Sequence, residues 1–162
     1  MTNEENIRNE LIEKFGFLEN KIRIQRSRRI FAEVGLENFT KVFEYVLKNL
    51  SFCMLCGITG LDEGATLGFI YHIAREDGII LNIKTNVDKN NPAIKTITGY
   101  FAEADIYERE LMDLLGAKVE GLPKGNRYPL SDDWPIDEYP LRKDWKKAVA
   151  HPSAFAKASA DR

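Results

Sequence analysis

Residues 52–87 read FCMLCGITGLDEGATLGFIYHIAREDGIILNIKTNV and contain three apolar segments separated by two turn signals. The segments cover residues 52–59, 66–75 and 79–87, and the last one alternates apolar with polar side chains. The turns read GLDEG and EDG, and an Asp-Gly pair between two apolar runs is a strong hairpin signal. This stretch therefore predicts three strands that follow one another through tight turns.

Helical periodicity precedes the three strands. Residues 36–50 carry an apolar stripe at helical spacing, and Glu37 or Asn38 is a candidate cap for the start of this helix. Residues 7–15 show the same spacing near the N-terminus and are followed by Gly16 as a stop signal. Two helices are therefore predicted before residue 52.

Residues 18–34 have a different period, with apolar runs on both sides of the polar stretch QRSRR, and predict two strands around a turn. Beyond the strands, a helix is predicted to start at Pro92 or Tyr100 and to end at Leu115, before Gly116. The order is helix, two strands, helix, three strands, helix. It predicts an α+β fold with a mostly antiparallel sheet.

The last third of the chain combines prolines, which prevent regular structure, with aromatic residues, which argue against a disordered linker. These residues are Pro123, Tyr128, Pro129, Trp134, Pro135, Tyr139, Pro140 and Trp145. We predict an α+β domain over 1–117, an extended proline-rich docking arm over 118–148 and a loose tail over 149–162.

Composition narrows the functional class. The 162 residues are 44% hydrophobic, enough for one core, and the charges nearly balance at a net −2. Such a balance argues against a dedicated nucleic-acid binder. No apolar run approaches the roughly 20 residues that cross a bilayer, and the acidic N-terminus lacks the apolar region of a secretory signal.

Cys53 and Cys56 form an isolated CxxC motif, which is compatible with half of a zinc site or a redox pair. A zinc site needs four ligands, and the only further good candidates are His72 and His151. The pair lies in a strand-like segment, where side chains three residues apart point to opposite faces. We interpret the two cysteines as buried small apolar residues, typical of a reducing cytoplasm.

The remaining candidates for chemistry are a histidine, a basic stretch and a set of glycines. His72 lies in an apolar strand without a catalytic partner and is interpreted as structural. Residues 23–29 are interpreted as the solvated face and turn of a hairpin rather than a phosphate or lipid site. The glycines lack the spacing of a phosphate loop and are interpreted as turn and bulge residues: Gly57, Gly60, Gly64 and Gly68.

Two other classes stay open from the residues alone. One is a free-standing enzyme that uses Cys53, Cys56 and His72. The other is an RNA-binding module that uses residues 23–29.

Charged residues are concentrated on the last predicted helix. At about 3.6 residues per turn, Glu110 and Asp113 share one flank and Arg109 lies near Asp113. Residues 139–145 read YPLRKDW, in which an Arg-Lys-Asp cluster lies between two aromatic residues on a proline-fixed backbone. Arginine and aromatic residues held in this way are typical of an interface hot spot.

Five short motifs resemble one known family. They are ERELMD at 108–113, Gly116, GLP at 121–123, DDWP at 132–135 and YPLRKDW at 139–145. Together they resemble the 30 kDa subunit family of complex I, the NADH–quinone oxidoreductase, most strongly over residues 100–146.

The departures from the family pattern concern four positions. GLP replaces the usual Gly-His-Pro, Tyr139 replaces a His, Trp145 replaces a Phe, and Ile106 replaces an aromatic residue. GLP followed by DDWP and YPLRKD looks more like the versions in formate hydrogenlyase and energy-converting [NiFe] hydrogenases. The four substitutions leave the type of complex open.

The resemblance implies a non-catalytic subunit that binds no cofactor or metal. Its partners would be a large 49 kDa-like or [NiFe]-type subunit and a neighbouring iron–sulfur subunit, at the cytoplasmic face of the cell membrane. The complex would couple electron transfer to ion translocation. Docking residues would be Glu108, Arg109, Glu110, Asp113, Trp134, Tyr139, Pro140, Leu141, Arg142, Lys143 and Asp144. Of these, Arg142 is expected to matter for docking and very little for folding.

Overall fold

The structure is a computed structural model that describes residues 2–146, so the predicted tail over 149–162 lies outside the described residues. Its elements are α1 (Asn3–Lys14), a 3-10 turn (Gly16–Leu18), β1 (Ile22–Arg26), β2 (Arg29–Glu33), α2 (Leu36–Asn49), β3 (Met54–Asp62), β4 (Thr66–Ala74), β5 (Ile80–Asp88), β6 (Ala93–Lys95), α3 (Ala104–Leu115) and β7 (Lys118–Glu120). The predicted order of helices and strands is confirmed, with β6 and β7 added. None of the helices in the described range has the length and apolar content to span a membrane.

Five strands form the main sheet in the order β1-β2-β5-β4-β3. Neighbouring strands are antiparallel except β2 and β5, which run parallel with Ile30 opposite Leu81. The predicted mostly antiparallel sheet is thus confirmed. The parallel pair attaches the N-terminal hairpin to the hairpins of residues 54–88.

The helices cover one face of this sheet. Side chains alternate along a strand, so Phe69 and Tyr71 of β4 share the buried face, while His72 lies on the other. Phe39 of α2 packs its ring against Tyr71, with 4.6 Å between centroids. On β3, a Cβ at Gly60 would collide with the side chain of Leu115, so glycine allows α3 to approach closely.

The two N-terminal helices begin differently. Thr2 and Glu5 form a capping box at the start of α1, each side chain accepting from the other's backbone N–H. The predicted cap of α2 by Glu37 or Asn38 is wrong. This helix starts after Gly35 without a side-chain cap, and Asn38 instead bonds the Glu37 carboxylate.

Two short strands that flank α3 in the sequence pair with each other in a parallel ladder. Strand β6 precedes the helix, β7 follows it, and Ile94 lies opposite Val119. Residues 118–120, predicted to begin the arm, therefore belong to this ladder. Gly116 ends α3 in the left-handed conformation (φ 73°), as a helix-terminating glycine does.

Candidate docking site

The arm begins after β7, and residues 121–146 of it are described. They contain no helix or strand and fold back onto α3. Near its start, the Nη2 atom of Arg109 donates to the carbonyl oxygen of Pro123 at 2.7 Å. The predicted proximity of Arg109 to Asp113 is not found as an ion pair. Arg109 pairs instead with Asp105, four residues earlier, through two hydrogen bonds of 2.9 Å.

Both carboxylate oxygens of Asp113 accept hydrogen bonds from the arm, so Arg109 pairs with Asp105 instead. One Asp113 oxygen accepts from Arg127 at 3.3 Å, and the other accepts from the backbone N–H of Leu130 at 3.2 Å. The carboxylate thus fixes a segment of irregular backbone that has no ladder of its own.

The end of α3 is bonded by a later part of the arm. The Nε atom of Arg142 donates to the carbonyl of Leu115 at 2.7 Å, and the backbone N–H of Leu141 donates to the carbonyl of Leu114 at 3.1 Å. The Arg142 guanidinium also lies over the Tyr139 ring, 4.7 Å from its centroid. Arg142 was expected to matter very little for folding, but it binds a helix-terminal carbonyl and therefore contributes to the structure of the domain.

A buried ion pair holds the arm to the ends of two strands. Lys89 donates to Asp62 at 2.7 Å and to Asp144 at 2.8 Å, and the backbone N–H of Lys143 donates to Asp62 at 2.7 Å. The Asp62 side chain is 1% exposed. Burial alone would raise its pKa, but these hydrogen bonds and one from the Gly64 N–H lower the pKa of Asp62 to about 2.

Glu108 lies in the interior, with no exposed surface. Its carboxylate accepts from the backbone N–H of Ile97 at 2.7 Å and from the hydroxyl of Thr96 at 2.6 Å. Burial raises the pKa of Glu108 above its ordinary value, although both hydrogen bonds oppose this. Glu108 thus anchors the loop before α3 and does not reach the surface of the described chain.

Two tryptophans form hydrogen bonds with Glu138 within the arm. Trp134 donates to the carbonyl of Glu138 at 2.9 Å, and Trp145 donates to the Glu138 carboxylate at 3.2 Å. Their rings lie 5.9 Å apart, and Pro140 between them in sequence is half-buried. These aromatic groups stabilise the shape of the arm from within.

Apolar side chains on the outside of the arm remain uncovered. Leu141 is 55% exposed and Ile136 is 85% exposed. Leu141 and Glu110 line a shallow groove of about 220 Å³ between α3 and β3. Within residues 2–146, the Glu110 carboxylate has no hydrogen bond or ion pair. The sequence did not lead us to predict Ile136 as a docking residue. An isolated isoleucine between Pro135 and Asp137, in a segment without regular structure, could have indicated an exposed apolar side chain.

The interpretation of Cys53 and Cys56 as buried residues is wrong, because both are exposed. Cys53 precedes β3, and a bulge between Leu55 and Gly57 breaks the alternation of faces at Cys56. Three residues of regular extended chain would separate two Cα atoms by about 10 Å. A disulfide requires less than about 7 Å.

The other candidates for chemistry are engaged within the sheet. The ring nitrogens of His72 contact Asn82 Oδ1 at 2.6 Å and Thr59 Oγ1 at 2.8 Å. In the basic stretch, Arg23 lies over the ring of Phe31 at 4.4 Å. Within the part of the chain that the structure describes, no group of three or more His, Cys, Asp or Glu residues could hold a metal ion.

The chain is an α+β domain that holds a proline-rich arm against its own helix, with apolar groups on the outside of the arm. The family described as respiratory-chain NADH dehydrogenase, 30 Kd subunit, matches residues 32–150, and the chain belongs to this family. The resemblance seen in the sequence is thereby confirmed.

Three similar proteins indicate the range of the family. A subunit of the F(420)H(2) dehydrogenase of Methanosarcina mazei is 32% identical over 126 residues, covering 76% of this chain and 79% of that protein. Membrane-bound hydrogenase subunit beta of Pyrococcus furiosus is 28% identical, covering 90% and 88%. A chain in the structure of the membrane-bound sulfane sulfur reductase, an archaeal respiratory membrane complex, superimposes with a TM-score of 0.76 at 25% identity, covering 98% and 91%. These similarities support membership of a multi-subunit complex.

Proposed function

We propose that this chain is a non-catalytic peripheral-arm subunit of a complex I-like NADH:quinone oxidoreductase or a membrane-bound energy-converting hydrogenase. It docks on the large subunit, which carries the quinone site or the [NiFe] centre, at the cytoplasmic face of the membrane. There it supports electron transfer coupled to ion translocation. The family and its relatives among dehydrogenase and hydrogenase subunits support this assignment.

The observation that carries the docking role is the groove shared by Glu110 and Leu141. An uncommitted carboxylate beside an exposed leucine offers a partner both a charge and an apolar contact. Ile136, 85% exposed on the same arm, offers a second apolar contact, and the exposed Lys143 side chain offers a cation. We name these four residues, Glu110, Ile136, Leu141 and Lys143, the docking surface.

The other predicted docking residues support this surface from behind. Six of them bond α3, the strand ends or the arm itself: Arg109, Asp113, Trp134, Tyr139, Arg142 and Asp144. Pro140 is half-buried between the two tryptophans in sequence. Glu108, on the buried side of α3, bonds Thr96 and Ile97. Because the arm is already held in place, less conformational entropy is lost when a partner binds it.

The test is the double variant Ile136→Ser/Leu141→Ser, compared with Phe17→Ser as a control. Phe17 is 40% exposed and lies in the 3-10 turn, outside the arm. Co-purification of the large subunit with the tagged chain should fall about tenfold for the double variant, equivalent to about 1.4 kcal/mol. It should not change for the control. If the double variant recovers as much large subunit as the wild type does, the arm is not part of the interface.

The two alternatives from the sequence have less support. A free-standing enzyme would need Cys53 and Cys56 to act together, but the extended chain holds them apart. An RNA-binding module would use residues 23–29, where Arg23 lies over Phe31 and forms an ion pair with Glu33 at 3.7 Å, and the family to which the chain belongs does not point to that function.

A further inference from the structure

A cleft of about 710 Å³ opens between the N-terminal end of α2 and the β6–β7 ladder. Tyr71 of β4 and Thr85 of β5 line it, with apolar walls from Leu36, Phe39 and Ile94. None of its lining residues belongs to the docking surface or to the described arm. The cleft is comparable in volume to pockets that hold drug-sized ligands, about 300–1,000 Å³.

One buried hydroxyl group in the cleft has no hydrogen-bond partner among residues 2–146. Thr85 is 1% exposed, and its Oγ1 atom is unsatisfied. Tyr71, which is also 1% exposed, lines the cleft beside it. Burial, reinforced by the negative charge of Glu108, raises the pKa of Tyr71, so this hydroxyl keeps its proton. A buried polar group without a partner is costly, and such groups are usually satisfied by something that binds there.

The mouth of the cleft carries charges of both signs. Glu37 and Lys41 lie one turn apart on α2, and Lys95 of β6 lies opposite Glu120 of β7 in the ladder. None of the four forms an ion pair within the described part of the chain. An apolar pocket surrounded by a charged rim is the arrangement found around aromatic anchors in protein interfaces.

We propose that this cleft is a second docking site, filled by a tyrosine or tryptophan side chain on a partner subunit of the same complex. The aromatic body packs between Phe39 and Ile94, and its polar tip bonds the Thr85 hydroxyl. Tyrosine and tryptophan combine a large apolar body with a polar tip, which matches this lining. The partner segment carries charges of both signs, opposite to those at the mouth. This proposal rests on the proposed function, because it requires that the chain works within a complex.

The first test is Thr85→Val, which replaces the unpartnered hydroxyl by a methyl group of similar size. The full chain alone should melt at the wild-type temperature or above it, because no hydrogen bond is lost. In the assembled complex, retention of the partner subunit under increasing salt should fall about tenfold. Thr66→Val is the matched control, because Thr66 lies in β4 on the opposite face of the sheet, and it should leave retention unchanged. Wild-type retention with Thr85→Val, or a lower melting temperature of the chain alone, would overturn the proposal.

The second test places the photoreactive residue p-benzoylphenylalanine at Lys41, on the rim of the cleft, in the assembled complex. The expected product is a cross-linked peptide from another subunit, with a tyrosine or tryptophan near the point of attachment. Cross-links confined to this chain, or a small molecule recovered from the cleft, would refute an aromatic anchor. If Ile136→Ser/Leu141→Ser releases the large subunit while Thr85→Val has no effect, the proposed function stands and only the second site fails.

Discussion

The Nε atom of Arg142 donates a 2.7 Å hydrogen bond to the main-chain carbonyl of Leu115, the last residue of α3. The two residues are 27 positions apart in sequence. A carbonyl in the last turn of a helix has no partner within the helix, so the arm satisfies a group that α3 cannot satisfy alone. The arm is thus a structural part of the domain.

Arg142→Ala should lower the free energy of unfolding of the full chain by about 1.5–3 kcal/mol, the range for a hydrogen bond from a charged group. Lys143→Ala is the neighbouring control, and should change it by less than about 0.5 kcal/mol because that side chain is exposed. Urea unfolding of the purified chains measures both values. Equal midpoints for Arg142→Ala and wild type would show that the bond adds nothing to stability.

Gly116→Ala should destabilise the chain by about 1–3 kcal/mol, because a non-glycine residue is strained in the left-handed conformation. A Cβ at this position would also lie 2.6 Å from the Tyr139 ring and 2.9 Å from Arg142, displacing the arm. Trypsin should then cut the arm faster, for example after the exposed Lys124. Gly99→Ala is the control, since no atom lies within 4 Å of its added Cβ. Equal cleavage rates for the two variants would contradict this account.

Asp62→Asn should cost about 2–3 kcal/mol, because Lys89 and the N–H of Lys143 lose their buried anion. The pKa of Asp62 is lowered to about 2, below its ordinary value near 4, so the ionised form is favoured by folding. Its contribution is therefore complete above about pH 4 and is lost as the pH falls towards 2. Unfolding curves between pH 2 and 6 should show the two proteins converging in acid. A constant difference over that range would mean that Asp62 is not the titrating group.

Glu108→Ala should be the most damaging of these changes, at about 3 kcal/mol or more, because it leaves the buried Ile97 N–H unpaired beside a cavity and removes the bond to the Thr96 hydroxyl. Glu108→Gln fills the same space and should cost less. The raised pKa of Glu108 means that folding favours its protonated form. The stability of the wild type relative to Glu108→Gln should therefore increase as the pH falls from neutral towards 4.5, the ordinary pKa of a glutamate. A relative stability that stays flat or decreases over that range would contradict the effect of burial.

Strong local patterns predicted the fold correctly. The apolar stripe of α2 and the Asp-Gly turn before β5 each report a structure that forms over a few residues. Strands β6 and β7 have three residues each, too few for an alternating pattern. They are strands because they pair with each other, although α3 separates them in the sequence. Such a long-range pairing leaves little trace in either segment.

The docking role of the motifs around Glu108 and Arg142 stays a prediction. The structure shows only that α3 and the arm, which carry these motifs, contact each other. Charge and aromatic content alone cannot tell whether Arg142 faces a partner or the end of its own helix. That distinction depends on where residues 121–146 fold back, which no local pattern encodes.

The parallel pairing of β2 with β5 has a consequence for the order of folding. Residues 54–88 can form their two hairpins from local contacts. Strand β2 can pair with β5, which places Ile30 opposite Leu81, only after the chain between them has been closed into a loop. Closing such a long loop costs entropy and slows folding. During synthesis the N-terminal hairpin therefore leaves the ribosome with one edge unpaired, and this edge stays open until β5 has emerged. The β1–β2 hairpin is thus the part of the nascent chain most exposed to incorrect strand pairing.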